Sequence, residues 1–470
     1  MIKCPSLPKY LSHLTSLFVK KTRSHGSVDY DLRISSPSLG ETDHIAEQQA
    51  QSGVFMYPVS PLAPLEFPTM LPVKGVKLAS GDAGLYSHPR DNISIIHFDS
   101  GSVVAGCTTK SSTCSSAVNT CREKLEACRE SDDHNNPVVF IVNSGGANAF
   151  TGQRGEVNTK VIIEEVAKSL KTSTQHVFPA STGIIGQQLP VNKIINTIHD
   201  IHSNLCSDGW YRAAKSIMTT DTYPKGSSCS VEISTGTITI TGIAKGSGMI
   251  APDMATLLAF IATDANISSN TLQSAVTSCV DNTFNCITVD SDTSTSDTVL
   301  VASTRKSCAT EIQPDSNDYK IFSHALQNVM MELAHQVVRD GEGATKFIQI
   351  DVSGAAQNKI CKKIALNIAN SPLVKVAIAG EDPNWGRIIA ALGKSGTHIN
   401  RDAVKICLGP HEVILNGEVS PEYCEDSLKT YMKNQEICLY ISVGQSRTHA
   451  RVWTCDLTHQ YITINSAYPT

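Results

Sequence analysis

Val138-Val-Phe-Ile-Val-Asn-Ser-Gly-Gly-Ala-Asn-Ala-Phe-Thr-Gly152 joins five consecutive apolar residues to a glycine-rich turn. An unbroken β-branched and aromatic run reads as a strand buried on both faces, and residues 156–170 continue with helical apolar spacing. The pattern then repeats. Residues 176–180 read as a second strand ending at Ser181-Thr-Gly183, and 191–204 as the next helix. Two strand-turn-helix units in succession predict a mixed α/β body whose polar turns lie where ligands commonly bind. Downstream, 231–235 and 237–242 read as a hairpin whose second strand leads to Lys245, and 257–263 as a further strand.

Between those last two strands lies Lys245-Gly-Ser-Gly-Met-Ile-Ala-Pro-Asp-Met-Ala-Thr256-Leu-Leu-Ala-Phe260. On spacing alone Thr256 has two readings, a turn residue entering a core strand or a nucleophile. A threonine hydroxyl is a poor nucleophile near pH 7 and needs a base within hydrogen-bond reach. Cleavage of the Ala255-Thr256 bond would create that base. An α-amine titrates at roughly 7.7–8.0 against about 10.4 for lysine, so a useful fraction is unprotonated near neutrality.

Composition excludes several classes. The 470 residues are 41% hydrophobic and 18% charged, with a net charge of −5 that leaves no basic footprint for nucleic acid. No apolar stretch approaches the roughly 20 residues that a membrane-spanning helix needs. The fifteen cysteines include no Cys-x-x-Cys pair, which favours reduced thiols over a disulfide framework. Cys107, Cys114, Cys121 and Cys128 recur every seven residues but lack the tight ligand pairs of a zinc site, so they read as small buried residues. His199 and His202 read as ordinary surface or interface residues. Asp290 to Thr298 lacks the sixth-position glycine and terminal glutamate of a calcium loop, and no metal is expected.

The first 55 residues form a separate zone, with Lys20, Lys21 and Arg23 and no acidic residue before Asp29. Such a composition fits a disordered extension, or a transit peptide with an amphipathic segment over 10–19. The expected location is the cytoplasm, with the mitochondrial matrix as the alternative.

Residues 245–265 resemble the self-cleaving segment of the arginine-biosynthesis glutamate N-acetyltransferases, also called ornithine acetyltransferases, and Val452-Trp-Thr-Cys-Asp-Leu-Thr458 resembles the version found in proteobacterial members. The likeness continues in Asn143 to Gly152, Ser181-Thr-Gly-Ile-Ile-Gly186, Met218-Thr-Thr-Asp-Thr222, Asp290 to Thr298, Asp340-Gly-Glu-Gly-Ala-Thr-Lys346, Gly380-Glu-Asp-Pro-Asn-Trp-Gly386 and Tyr461 to Thr470. It implies an α/β fold that sandwiches sheets between helix layers, the ornithine acetyltransferase/DmpA-like architecture. Two interlocked chains would build it, 56–255 and 256–470, after an extension over 1–55. The implied activity moves an acetyl group from N2-acetyl-L-ornithine to L-glutamate, with Thr256 as nucleophile and Thr151 and Gly152 as the oxyanion hole. Thr219, Lys245, Thr256, Glu342, Asn465 and Thr470 match the family's substrate-binding positions. Lys245 suits the α-carboxylate and Glu342 a substrate ammonium. The family pairs two cleaved units into a heterotetramer and uses no cofactor, although acetyl-coenzyme A stays open as a second acetyl donor.

Without the resemblance, Ser144 to Gly152 reads equally as a phosphate turn, a plain loop or a catalytic turn, and Lys245 and Glu342 as turn residues. The rival activity is an amino-terminal-nucleophile amidase or aminopeptidase, with water in place of glutamate; a further rival is an amino-acid-binding protein that never cleaves. Three positions depart from the common family pattern, Gly146, Phe150 and Ser291, and Phe150 immediately precedes the expected oxyanion pair.

Overall fold

The computed structural model describes residues 58–130, 135–251 and 257–467. The extension expected over 1–55, the Ala255-Thr256 bond and Thr470 therefore lie outside the described residues.

Three sheets organise the described residues. The first has the order Val76–Gly81, Ile93–Phe98, Val138–Asn143, Val177–Ser181, and its last two strands are parallel with Val139 facing Val177. The second, central sheet runs Val103–Thr108, Thr298–Ser303, Leu258–Thr263, Gly236–Lys245, Lys225–Ile233. The third contains Glu418–Val419, His411–Leu415, Lys405–Leu408, Glu436–Ser442, Phe347–Gly354 and Ser446–Cys455.

Period-two alternation explains the layering. Val138, Phe140 and Val142 face the central sheet and meet Leu258, Phe260, Ala262, Leu300 and Ala302. Val139 and Ile141 face the other way, against Ile162, Ile163 and Val166 of the helix Gly152–Ser169 and Ile194 and Ile198 of the helix Val191–Ile201. Phe140 lies at the centre of the sheet-on-sheet interface, with ring centroids 4.8 Å from Phe98, 6.0 Å from Phe178 and 6.1 Å from Phe260. Burying one such side chain contributes about 1.5–3 kcal/mol. The central sheet's far face, including Ala259, Ile261, Val299 and Val301, packs on the helices Ser269–Asn282 and Asn317–Arg339. The result is helix, sheet, sheet, helix, the expected sandwich.

Local differences from the sequence reading have local causes. The helix expected over 156–170 begins at Gly152, because its first turn carries Gln153 and Arg154, which leave no apolar periodicity to read. The helix expected over 191–204 ends at Ile201 and tightens into a 3-10 turn, His202–Asn204. The hairpin is longer than expected, Lys225–Ile233 against Gly236–Lys245, since the outer end of its first strand, Lys225-Gly-Ser-Ser-Cys-Ser230, carries no apolar alternation to read. Of the four cysteines expected to be buried only Cys121 is, its thiol donating to the Pro179 carbonyl at 2.9 Å, while Cys107, Cys114 and Cys128 are half-buried. His199 is exposed on its helix and pairs with Glu165 at 2.7 Å. Among the described residues no helix is long and apolar enough to cross a membrane.

Candidate active site

The glycine-rich turns of the first sheet are tied edge to edge. The Thr182 amide donates to the Asn143 carbonyl at 3.0 Å, the Ala147 amide to the Ile184 carbonyl at 3.0 Å and the Gly186 amide to the Ala149 carbonyl at 2.9 Å. Beside them opens a cavity of about 370 Å³, lined in part by Thr182, Gly183, Thr219, Lys245, Gly248, Leu257, Asp290, Asp297, Glu342 and Asn465. Four of the expected substrate residues, Thr219, Lys245, Glu342 and Asn465, thus converge although up to 246 positions separate them (465 − 219). Leu257, covalently next to Thr256, also lines it; Thr256 and Thr470 lie outside the described residues.

Lys245 ends its strand 8% exposed, and among the described residues its ammonium makes no hydrogen bond. Burial pushes its pKa down, while Asp221 opposes the shift. Asp221 sits on the other side of the strand end, accepting from the Gly246 amide at 2.7 Å, the Thr219 amide at 2.9 Å and the Lys225 ammonium at 2.6 Å. Burial alone would raise this carboxyl, but Lys225 and Lys245 hold it well below the usual carboxylate range. Lys225 is fully buried and reaches Asp340 as well, at 2.6 Å. Burial lifts Asp340 to about 6 against the pull of Lys225. Asp340 also accepts from the Thr222 amide at 2.9 Å and from the Thr222 hydroxyl, and two residues on stands Glu342. The buried lysine therefore locks the Thr219 turn to the Glu342 turn.

Glu342 is 7% exposed and accepts from the Asn465 side-chain amide at 2.7 Å. Burial raises its pKa, opposed by hydrogen bonds from Thr220 and Asn465. Gly248 lies directly against it: a Cβ there would fall 2.5 Å from each carboxylate oxygen. Asp290 fastens the same loop, taking the Met249 amide at 2.6 Å and the Ile250 amide at 2.9 Å, with Met249 held at φ 57°.

Thr151 and Gly152 are not among the residues lining the cavity. They form the amino-terminal end of the helix Gly152–Ser169, where the first backbone N–H groups have no intrahelical acceptor. The Thr151 hydroxyl donates to Asn148 Oδ1 at 2.9 Å, and would have to turn away from it to serve an oxyanion. Gly152 at φ 61° adopts a conformation that favours glycine. Exposed Phe150 precedes the pair, also in the left-handed region at φ 55°.

Sequence reasoning singled out neither Lys225, Asp221, Gly248 nor Asp297 for a role. The signals were present for some, since Asp221 and Gly248 fall inside quoted motifs; a lysine in a strand carries no mark of its burial.

The ArgJ family profile matches residues 77–470. The chain belongs to the ArgJ family. The arginine biosynthesis bifunctional protein ArgJ of Ruegeria pomeroyi is 46% identical over 410 residues, covering 87% of this chain and 98% of that protein. The protein of the same name from Mesorhizobium japonicum is 46% identical over 415 residues, with the same coverage. A crystal structure of an ArgJ from Bacillus halodurans is 38% identical, covers 44% of this chain and 96% of that chain, and has a TM-score of 0.42. The family read from the eight motifs is therefore the ArgJ family, and the close relatives are proteobacterial, as the resemblance implied.

Proposed function

We propose that this ArgJ-family enzyme transfers the acetyl group of N2-acetyl-L-ornithine to L-glutamate through an acetyl-threonine ester on Thr256. The observation that carries the reading is the convergence of Lys245, Glu342, Thr219 and Asn465 on one cavity that also reaches Leu257, in a chain whose relatives are named arginine biosynthesis bifunctional proteins. Cleavage before Thr256 would divide the chain into 1–255, which carries the 56–255 body behind the extension, and 256–470. The freed α-amine takes the proton of Thr256 Oγ as the oxygen attacks the acetamide carbon. Gly152 and Thr151, at a helix amino terminus, serve the developing oxyanion. Collapse breaks the C–N bond, the ammonium returns its proton to the leaving ornithine nitrogen, and the acetyl group stays on Oγ. Glutamate's neutral amine then attacks the ester and regenerates Thr256.

Lys245, buried and without a hydrogen-bond partner among the described residues, suits an α-carboxylate; Glu342 suits a substrate ammonium, and Asn465, Thr219 and Thr470 add neutral hydrogen bonds. Acetyl-coenzyme A is the second donor that the relatives' description as bifunctional would accommodate. We assign the enzyme to the cytoplasm and expect a heterotetramer of two cleaved units.

Intact mass and amino-terminal sequencing of the purified wild type beside Thr256→Ala test the reading. The expected result is two wild-type fragments, one beginning Thr-Leu-Leu-Ala, and an uncut variant. An uncut wild type, or an active Thr256→Ala, would refute the nucleophile. Water-driven deacetylation unaffected by glutamate would favour the amidase instead.

A further inference from the structure

The peptide unit joining Met218 to Thr219 belongs to no helix or strand, yet both of its polar groups are held. On the nitrogen side the Thr219 amide donates to Asp221 Oδ2 at 2.9 Å; on the oxygen side the Met218 carbonyl accepts from Arg90 Nη2 at 2.9 Å and from the Tyr86 hydroxyl at 3.4 Å. A peptide unit is planar, so fixing its oxygen and its N–H fixes the direction in which Thr219 leaves it. Thr219 lines the cavity, whereas Arg90 and Tyr86 are not among the lining residues.

Arg90 is itself held in place. Its guanidinium carbon stands 4.4 Å from the centroid of the Tyr86 ring, and its amide donates to Asp82 at 3.1 Å. Fully buried Asn92 donates to the Arg90 carbonyl at 2.9 Å and to Asp82 at 2.6 Å. Tyr86 in turn lies against the glycine-rich turn of the first sheet, where a Cβ on Gly145 would fall 3.3 Å from its Cε2. The neighbouring Ser144 hydroxyl donates to the Ser216 carbonyl at 2.7 Å. The loop 82–92 thus braces the Gly145 turn and the Thr219 turn together, and residues following both, Ala147 and Thr220, line the cavity.

We propose that Arg90 is a positioning residue for Thr219, acting through the Met218 carbonyl, with the Tyr86 ring as the flat surface that sets its guanidinium. The proposal rests on the reading of Thr219 as a substrate-binding residue. Arg90 Nη2 also donates to the Lys215 carbonyl at 3.0 Å, at the carboxyl end of the helix Trp210–Ser216. That bond alone would make Arg90 a helix cap that affects only stability. The bond to the carbonyl beyond the helix is the one that reaches the site.

The test uses the full-length chain as wild type, Arg90→Met, Arg90→Lys, Thr219→Val and the double variant Arg90→Met with Thr219→Val. The melting temperature is measured together with KM and kcat for N2-acetylornithine at saturating glutamate. Methionine keeps an unbranched stem on the Tyr86 ring and donates nothing. A neutral hydrogen bond lost alike from ground and transition state raises KM and spares kcat, so Arg90→Met should raise KM about three- to tenfold with kcat within about threefold. The double variant should lie within about twofold of Thr219→Val, because the arginine acts through the residue already removed. A folded Arg90→Met whose KM rises less than about twofold, beside a Thr219→Val whose KM does rise, overturns the proposal and leaves Thr219 standing. So does a double variant whose KM shows the full product of the two single losses. A Thr219→Val with unchanged KM overturns the substrate reading and the proposal with it. If Arg90→Met melts far below the wild type, Arg90→Lys decides by the same KM criterion, since lysine keeps the charge at the helix end but lacks the planar group that lies on Tyr86.

Discussion

Gly248→Ala isolates one contact on which the substrate reading depends. No positive φ is required at Gly248, so the backbone accepts alanine. The obstacle is the Glu342 carboxylate, whose two oxygens would each lie 2.5 Å from the new Cβ. Ordinary contact begins near 3.4 Å, so the carboxylate must retreat by roughly 1 Å. It cannot do so while keeping Asn465 at 2.7 Å. A lost hydrogen bond to a charged group costs about 1.5–3 kcal/mol, and a misplacement near 1 Å can cost about a hundredfold in rate. Steady-state kinetics with N2-acetylornithine and glutamate should therefore show kcat/KM for acetylornithine reduced at least tenfold, with the melting temperature nearly unchanged. The same substitution made on Glu342→Ala should cost almost nothing further, because the clash has gone. Kinetics within twofold of wild type in a folded Gly248→Ala would refute the assignment of Glu342 to the substrate, and additive losses would refute the contact.

Lys245→Ala should raise KM for acetylornithine tenfold or more, since it removes a buried ammonium that lines the cavity; an unchanged KM sinks that role. Lys225→Met leaves the buried Asp221 and Asp340 facing each other without their shared ammonium and should destabilise the fold by about 3–5 kcal/mol; thermal unfolding within 1 °C of wild type would contradict it. His335, packed on Trp453 at 4.6 Å and Phe347 at 5.2 Å, is driven by burial down to about 4. Its folded pKa is depressed, so stability is lost as pH falls from about 6.5 toward 4, by about 3 kcal/mol. Denaturant unfolding at pH 7 and 4.5 should show that loss in the wild type and not in His335→Phe.

Two of the first sheet's four strands were legible, because residues 138–142 and 176–180 announce strand, turn and helix through apolar spacing alone, whereas Val76–Gly81 and Ile93–Phe98 were not read. The third sheet had its own signal. Ile348, Ile350 and Val352 alternate, as do Ile437, Leu439 and Ile441, and all six are buried. Their polar or cysteine intervening residues blur the pattern into one that surface loops share. The site's membership was legible through motif matches at Thr219, Lys245, Glu342 and Asn465. Its supporting frame was not, because nothing in a one-dimensional pattern sets Gly248 against Glu342, 94 positions away (342 − 248), or marks Lys225 as fully buried between two carboxylates.

The central sheet also bears on why a cut at 255–256 would leave the site intact. Leu258–Thr263 is hydrogen-bonded on one edge to Gly236–Lys245, with Lys245 facing Leu258, and on the other to Thr298–Ser303. The two strands that follow the bond are thus enclosed by strands that precede it, Val103–Thr108 on one side and Gly236–Lys245 on the other. New chain ends ordinarily fray. Here all six residues of the strand are buried, and the Leu257 carbonyl is itself held by the Thr298 amide at 3.0 Å. Ordering therefore extends to within one residue of Thr256 before any substrate binds, and under the proposed mechanism the entropy of holding the chain next to the nucleophile is met largely by folding rather than by catalysis.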